Sequence, residues 1–306
     1  MSKSTISTFQ LFEMFPNAET ARVYLESRLW PNGPRCPVCG SGERITVRKG
    51  GFYRCNACRE DFTVRTGTIF ERSHVPLHKW IYAMYLVVTA RKGISSMQLA
   101  KEIGVTQKTA WFVLGRLREA CGGDDFPKLR GIIEIDETYI GGKEANKHEA
   151  KKLHAGRGTV GKTAILGMRE RGGRTKAKPV DGTDAPTLHA TIQANVDAGS
   201  TLHTDEHGGY VGLGALAFDH ETVNHSAGEF VRDDITVNGI ESVWAVLKRG
   251  IYGTFHHITP KHLGRYVDEF TFRLNEGNVA RHTLQRLESF VEGTAGKRLT
   301  YKDLIA

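Results

Sequence analysis

With 306 residues, 40% of them apolar and 25% charged, the chain can bury a sizeable core and is expected to fold as two or three units. No run approaches the roughly 18 to 20 apolar residues of a membrane span, and the first residues lack the apolar core of a secretory signal, which predicts a cytoplasmic protein. The net charge of +8 suits a polyanionic partner, and it is unevenly spread: residues 143–178 carry 11 Lys and Arg against three Glu, so one segment holds the whole excess.

Residues 1–30 are assigned to an N-terminal helical segment. Cys36-Pro-Val-Cys39 and Cys55-Asn-Ala-Cys58 then form a C-x2-C-x15-C-x2-C array. Four thiolates at this spacing can close a tetrahedron around a structural Zn2+, each pair supplied by a tight knuckle. Disulfides are disfavoured in a reducing cytosol, and a redox motif needs one pair rather than two. The alternating stretches 44–48, 51–54 and 61–65 read as short strands, so residues 31–70 are expected to be a zinc ribbon whose small core is held by metal. Cys121, without a partner cysteine, is expected to be a buried small hydrophobe.

Residues 74–122 carry helical periodicity from Lys79 to Thr89 and from Ser96 to Ile103, a break at Gly104-Val105, and a further helix opening at Thr106. Capped helices around a tight turn predict a helix-turn-helix, with Gln107, Lys108 and Arg116 on the second helix of the pair, where base and phosphate contacts are made. An ordinary packed hairpin shares this pattern, and the turn spacing favours the DNA-binding reading.

The segment 128–295 carries the acidic residues. A β-branched run from Gly131 predicts a strand ending in Asp136, and strands are expected over Ala164–Arg169, Thr187–Ile192 and Thr201–Asp205. Residues 175–187, with two prolines and a glycine, read as a loop. Three sequential strands, an intervening segment and a fourth strand ending in a second Asp follow the order of an α/β ribonuclease H-like mixed sheet. In that sheet the first and fourth strands are neighbours, so Asp136 and Asp205 would lie side by side. Adjacent carboxylates repel unless cations sit between them. Residues 236–248 read as a helix. At about 100° per residue, Ile240, Val243, Trp244 and Leu247 share one face, and Asn238, Glu241 and Lys248 an adjoining one. Glu241 could ligate a second cation there, and Lys248 could grip a DNA phosphate.

Glu-Ile-Asp-Glu-Thr-Tyr-Ile-Gly-Gly-Lys at 134–143, His-Thr-Asp-Glu-His-Gly-Gly-Tyr at 203–210 and Asn-Gly-Ile-Glu-Ser-Val-Trp-Ala-Val-Leu-Lys-Arg from Asn238 to Arg249 resemble bacterial insertion-sequence transposases of the ISXO type. With the ribbon and helix-turn-helix ahead of them, the resemblance covers nearly the whole chain. It implies a DDE transposase that binds the ends of its element, cuts their 3′ ends and joins them to target DNA. Asp136, Asp205 and Glu241 would hold two Mg2+, for which Mn2+ can substitute, and Arg249 would join Lys248 at the DNA backbone. Asn238, one turn before Glu241, could share or take the third position, because that position holds Asn as well as Glu in the family. Glu241 is favoured because a carboxylate offsets cation charge and an amide does not. A homodimer or higher assembly on DNA is implied, since two ends must meet.

Gly156-Arg-Gly-Thr-Val-Gly-Lys162-Thr163 satisfies the formula of a nucleotide-binding P-loop, but a basic stretch precedes it and a strand is expected after it, the wrong context for that motif. It is expected instead to be a basic loop, with Lys162 near DNA. His203, His207, His256 and His257 lack metal-ligand spacing and are expected to assist phosphate contact or proton transfer. Two other functions share parts of the pattern: a zinc-ribbon and helix-turn-helix DNA-binding regulator without catalysis, and a ribonuclease H-like nuclease that cuts but does not join.

Overall fold

The computed structural model describes residues 5–123, 127–142, 144–154, 158–277 and 280–306. The chain divides into two compact units, one made of residues 1–123 with 276–306 and the other of residues 124–275. The expected catalytic segment therefore ends near residue 275 rather than 295, because the last helices pack with the N-terminal unit.

The first unit opens with α1 (Thr8–Met14) and α2 (Ala18–Leu29), capped by Ser7 and Asn17. A three-stranded antiparallel sheet follows, β1 (Ile45–Arg48), β2 (Phe52–Cys55) and β3 (Asp61–Phe62). Its core is only Cys36, Tyr53, Cys55 and Phe62 with Trp30, Ile45 and Cys58 against them, too little apolar surface to fold unaided. Next come α3 (Leu77–Thr89), α4 (Ser96–Ile103) and α5 (Gln107–Cys121). Ser95 and Thr106 cap α4 and α5, and Gly104 ends α4 at φ 62°, a left-handed turn that a glycine adopts without steric cost. The two expected capped helices around a tight glycine turn are thus present, with three residues between them.

The second unit is built on a five-stranded mixed sheet. Its strands are β4 (Ile132–Ile140), β5 (Thr163–Glu170), β6 (Thr175–Val180), β7 (Thr201–Thr204) and β8 (Asp219–Thr222), in the order β6-β5-β4-β7-β8. The first three pair antiparallel, and β7 and β8 join parallel to β4, which is the ribonuclease H-like arrangement expected from the strand order. Two expected elements are exchanged. Residues 187–192 lie in α6 (Ala185–Asn195), capped by Asp184 with Pro186 in its first turn, and the third strand is β6, inside the stretch read as a loop. Pro179 is tolerated there because β6 is an edge strand, where the missing N–H breaks no ladder.

A small antiparallel hairpin, β9 (Val231–Arg232) and β10 (Ile235–Thr236), leads into α7 (Asn238–Gly250), a π turn at Ile251–Phe255 and α8 (Pro260–Glu276). One face of the sheet carries Ile133, Ile135, Leu166 and Met168 against Leu188 and Ile192 of α6. The opposite face carries Ile140 and Ile165 against Ile240, Trp244 and Leu247 of α7 and Val267 of α8. The period-2 alternation along β4 thus puts Glu134, Asp136 and Thr138 on the α7 face. The chain then returns to the first unit through α9 (Thr283–Glu292) and α10 (Tyr301–Ile305).

Candidate metal centres and nucleic-acid interface

The four ribbon cysteines converge. The Cys36 and Cys58 sulfurs lie 3.6 Å apart, as do those of Cys39 and Cys55, and all four sulfurs fall within 4.8 Å of one another. A disulfide needs about 2 Å, whereas tetrahedral Zn–S bonds of about 2.3 Å set sulfurs about 3.8 Å apart, so the donor set fits zinc. Among the described residues this is the one group of three or more Cys, His, Asp or Glu side chains close enough to share an ion.

The carboxylates are arranged differently. Strand β4 does not end at Asp136 but runs on to Ile140, with Asp136 opposite Gly167 of β5. Pairing of β4 with β7 stops at Glu134 and His203, so Asp136 lies two residues beyond it on one strand and Asp205 two residues beyond it on the other. Burial first, then repulsion from Glu137 and Asp205, pushes Asp136 up to about 7. A carboxylate destabilised in this way is suited to a cation, because the positive charge removes both penalties. Asp205 is oriented by the His207 N–H, which donates to its Oδ1 at 3.0 Å. Glu137 points to the α6 side of the sheet, where the Tyr210 hydroxyl donates to it at 2.6 Å and burial, then the Glu137 charge, holds the Tyr210 phenol well above its usual range.

Glu241 is not drawn into the Asp136–Asp205 pair. It is half-exposed in the first turn of α7, with its Oε1 3.8 Å from His225 Nδ1. Asn238, the alternative third residue, opens α7 and is exposed, its N–H donating to Thr236 Oγ1.

Helix α7 is held on the sheet by contacts that sequence inspection missed. Glu134, buried at 5% exposure on β4, accepts the Ile240 N–H at 3.0 Å. Arg169, its register partner on β5, donates to the Gly239 carbonyl at 2.6 Å and to Ser242 Oγ at 3.0 Å. One turn further, the Trp244 indole N–H donates to Asp136 Oδ2 at 2.9 Å. Space is cleared by two glycines: a Cβ on Gly239 would overlap the Glu134 carboxylate, and one on Gly167 would overlap the Trp244 ring. The available signal was negative, since Val237 at the N-cap has no side-chain acceptor and the helix start needed a cap from elsewhere.

The basic residues divide. Lys248 is half-buried and Arg249 exposed in the last turn of α7, and Lys162 packs over Gly141 at the start of β5. Gly156 and Arg157 of the basic loop, and Lys143, lie outside the described residues. Gln107 and Lys108 are exposed at the start of α5, Gln107 donating to Ser96 Oγ at 2.8 Å and the Lys108 ammonium lying 4.8 Å from the Tyr301 ring centre. Arg116 does not belong with them. It is buried at 6% exposure, and its guanidinium donates to the carbonyls of Ile69, Glu71 and Leu299, so it ties the first unit together instead of standing at the surface.

Of the histidines, His203 is buried beside Arg171, and burial with the Arg171 charge lowers it below its usual range. His207 accepts the Gly209 N–H and approaches Glu137 at 3.9 Å, and His256 follows the π turn at φ 60°.

The sheet unit matches the model of the ISXO2-like transposase domain over residues 128–275, and residues 16–61 match that of the transposase zinc-ribbon domain. A relative from Halobacterium salinarum, described as an uncharacterized protein in transposable element ISH50, is 31% identical over 235 residues, covering 72% of this chain and 78% of its own length. Two solved structures are similar at 12% identity. One is a pre-cleavage Mos1 transpososome, with a TM-score of 0.29, covering 72% of this chain and 80% of that chain. The other is the Mos1 transposase paired-end complex with the left transposon end, with a TM-score of 0.24, covering 89% of this chain and 98% of that chain. Likeness of that extent establishes neither activity nor assembly. The ribbon, the acidic strand pair and the two family matches along one chain lead to the same conclusion: the protein belongs to the ISXO2-like transposase family.

Proposed function

We propose that the protein is a DNA transposase that binds the ends of an insertion element, cleaves their 3′ ends and transfers them into target DNA, acting in the cytoplasm as at least a homodimer. The observation that carries this reading is the Asp136–Asp205 pair on neighbouring strands, with Asp136 raised to about 7 within a transposase-family domain. A passive domain has no reason to bury one carboxylate against another. Bound Mg2+ would supply charge neutralisation at the scissile phosphodiester and lower the barrier to in-line attack.

The chain's own residues prepare that site. Trp244 fixes one oxygen of Asp136, and the His207 amide fixes one of Asp205. Glu241, or Asn238 one turn before it, would complete the ligand set from α7, and His225 Nδ1 lies 3.8 Å from Glu241 Oε1. Lys248, Arg249 and Lys162 meet the phosphate backbone, where each contact adds sequence-independent, salt-dependent affinity. Gln107 and Lys108, at the exposed start of α5, would make base or phosphate contacts in a major groove. The ribbon, stapled by Zn2+, adds a second rigid DNA-facing module.

Purified protein with labelled element ends and Mg2+, compared with Asp205→Asn, tests the proposal. Wild type is expected to nick and join. The variant should bind the ends but lose on the order of a hundredfold or more in rate, as several kcal/mol of metal-borne stabilisation disappear. Binding by wild type without nicking or joining would sink the proposal and leave a DNA-binding regulator. Cleavage without joining would point to a nuclease.

A further inference from the structure

Strand β4 presents two acidic side chains to α7, two residues apart on one face, and each accepts a hydrogen bond from that helix. Glu134 takes the backbone N–H of Ile240, and Asp136 takes the indole N–H of Trp244. Residues four apart on a helix and two apart on a strand are both spaced by about 6 to 7 Å, so the two bonds lock helix to strand in one register. Only Asp136 has an assigned role. Glu134 is buried, and its carboxylate serves as the missing cap of a helix whose N-cap residue, Val237, cannot supply one. Arg169 grips the same turn from the carbonyl side, and Gly239 is the residue that lets the Glu134 carboxylate approach.

We propose that Glu134 is a positioning residue: its carboxylate clamps the first turn of α7 to β4 and thereby sets where Asn238 and Glu241 stand relative to Asp136 and Asp205. This rests on the transposase reading for its consequence in catalysis, but not for its structural content. The Glu134 carboxylate makes its contacts with the Ile240 N–H and Arg171. It acts through α7, with Arg171 at 3.5 Å balancing its charge.

Amide hydrogen exchange on the metal-free full chain tests it directly, with Glu134→Ala and Glu134→Gln beside wild type. Loss of a charge-assisted bond should speed exchange at Ile240 and its neighbours in the first turn of α7 by about ten- to a hundredfold in the alanine variant. Exchange in β5 and α6 should stay unchanged. The glutamine variant keeps an acceptor oxygen and should restore most of the protection. The same three proteins titrated with Mn2+ should show a weaker midpoint for Glu134→Ala, recovery in Glu134→Gln, and unchanged affinity for element-end DNA.

Unchanged exchange at α7 in Glu134→Ala would overturn the proposal, as would acceleration spread evenly over the whole sheet unit. So would a glutamine variant that loses Mn2+ binding as completely as alanine while α7 stays protected, because Glu134 would then be a ligand itself. If wild type neither cuts nor joins DNA, the transposase reading fails, yet the exchange experiment still decides the clamp.

Discussion

The cysteine cluster of the ribbon and the carboxylate pair of the sheet unit both bring like groups together, by opposite means. The ribbon draws its outermost ligands from positions 22 residues apart, around a core too small to fold alone. Its metal is part of the fold. In the sheet unit, Asp136 meets Trp244 across 108 residues and Glu134 meets Ile240 across 106, on a scaffold with apolar clusters on both faces. There the fold comes first and holds its carboxylates at a free-energy cost that a cation would relieve. One cluster needs a metal to hold its fold; the other is held by a fold that forms without one.

The largest effect should come from breaking the ribbon. Cys55→Ser or zinc chelation removes a contribution on the order of 10 kcal/mol, and backbone NMR should show β1–β3 losing their dispersed signals. Removing Mg2+ should leave β4–β8 folded; if the sheet melted as the ribbon does, the contrast would collapse.

A smaller effect separates the sites by pH. An unfolded Asp ionises near 4, and Asp136 in the fold ionises at about 7. Between those values the folded state keeps a proton that the unfolded state has released, so the metal-free sheet unit should lose stability as pH rises through that window, by a few kcal/mol at most. Thermal melts should show Mg2+ raising the melting temperature more at pH 8 than at pH 5, and Asp136→Asn should abolish the difference.

Arg116 and Lys108 sharpen the comparison between holding a fold and touching DNA. Arg116→Ala strips three carbonyls of their donor and should cost about 3 kcal/mol in denaturant unfolding of the first unit. Lys108→Ala should change stability by less than about 1 kcal/mol, since its ring contact is exposed, while weakening DNA binding and flattening its salt dependence. Equal stability losses in the two variants would contradict the assignment.

Trp244→Phe removes a hydrogen bond and part of a ring buried over Gly167, and should cost about 2 kcal/mol. Because that bond lowers Asp136, its loss should move the carboxylate's titration upward, readable by NMR of the Asp136 side chain.

Much of this was legible in the residues, and the failures have particular causes. The ribbon and the pair of capped helices around Gly104 read correctly because their signals are local: thiol spacing, the Ser95 and Thr106 caps and the left-handed Gly104. The Asp136–Asp205 neighbourhood followed from strand order. The third strand was misplaced because Thr187–Ile192 is rich in β-branched residues, although Asp184 with Pro186 was a helix-start signal, and because Pro179 disguised an edge strand. Arg116 was taken for a surface cation because helical position alone does not tell which face is buried.

The sequence by itself determined the family, the zinc ligands and the acidic residues, since these depend on residue type and short spacing. The tertiary structure decided which carboxylates face each other, that Glu137 turns away to Tyr210, that Glu241 stands with His225, and that Glu134 caps α7 from another strand. Those outcomes depend on register and on packing between separate elements, up to 106 residues apart. A glycine such as Gly167 or Gly239 shows its purpose only when the side chain that fills its space has arrived.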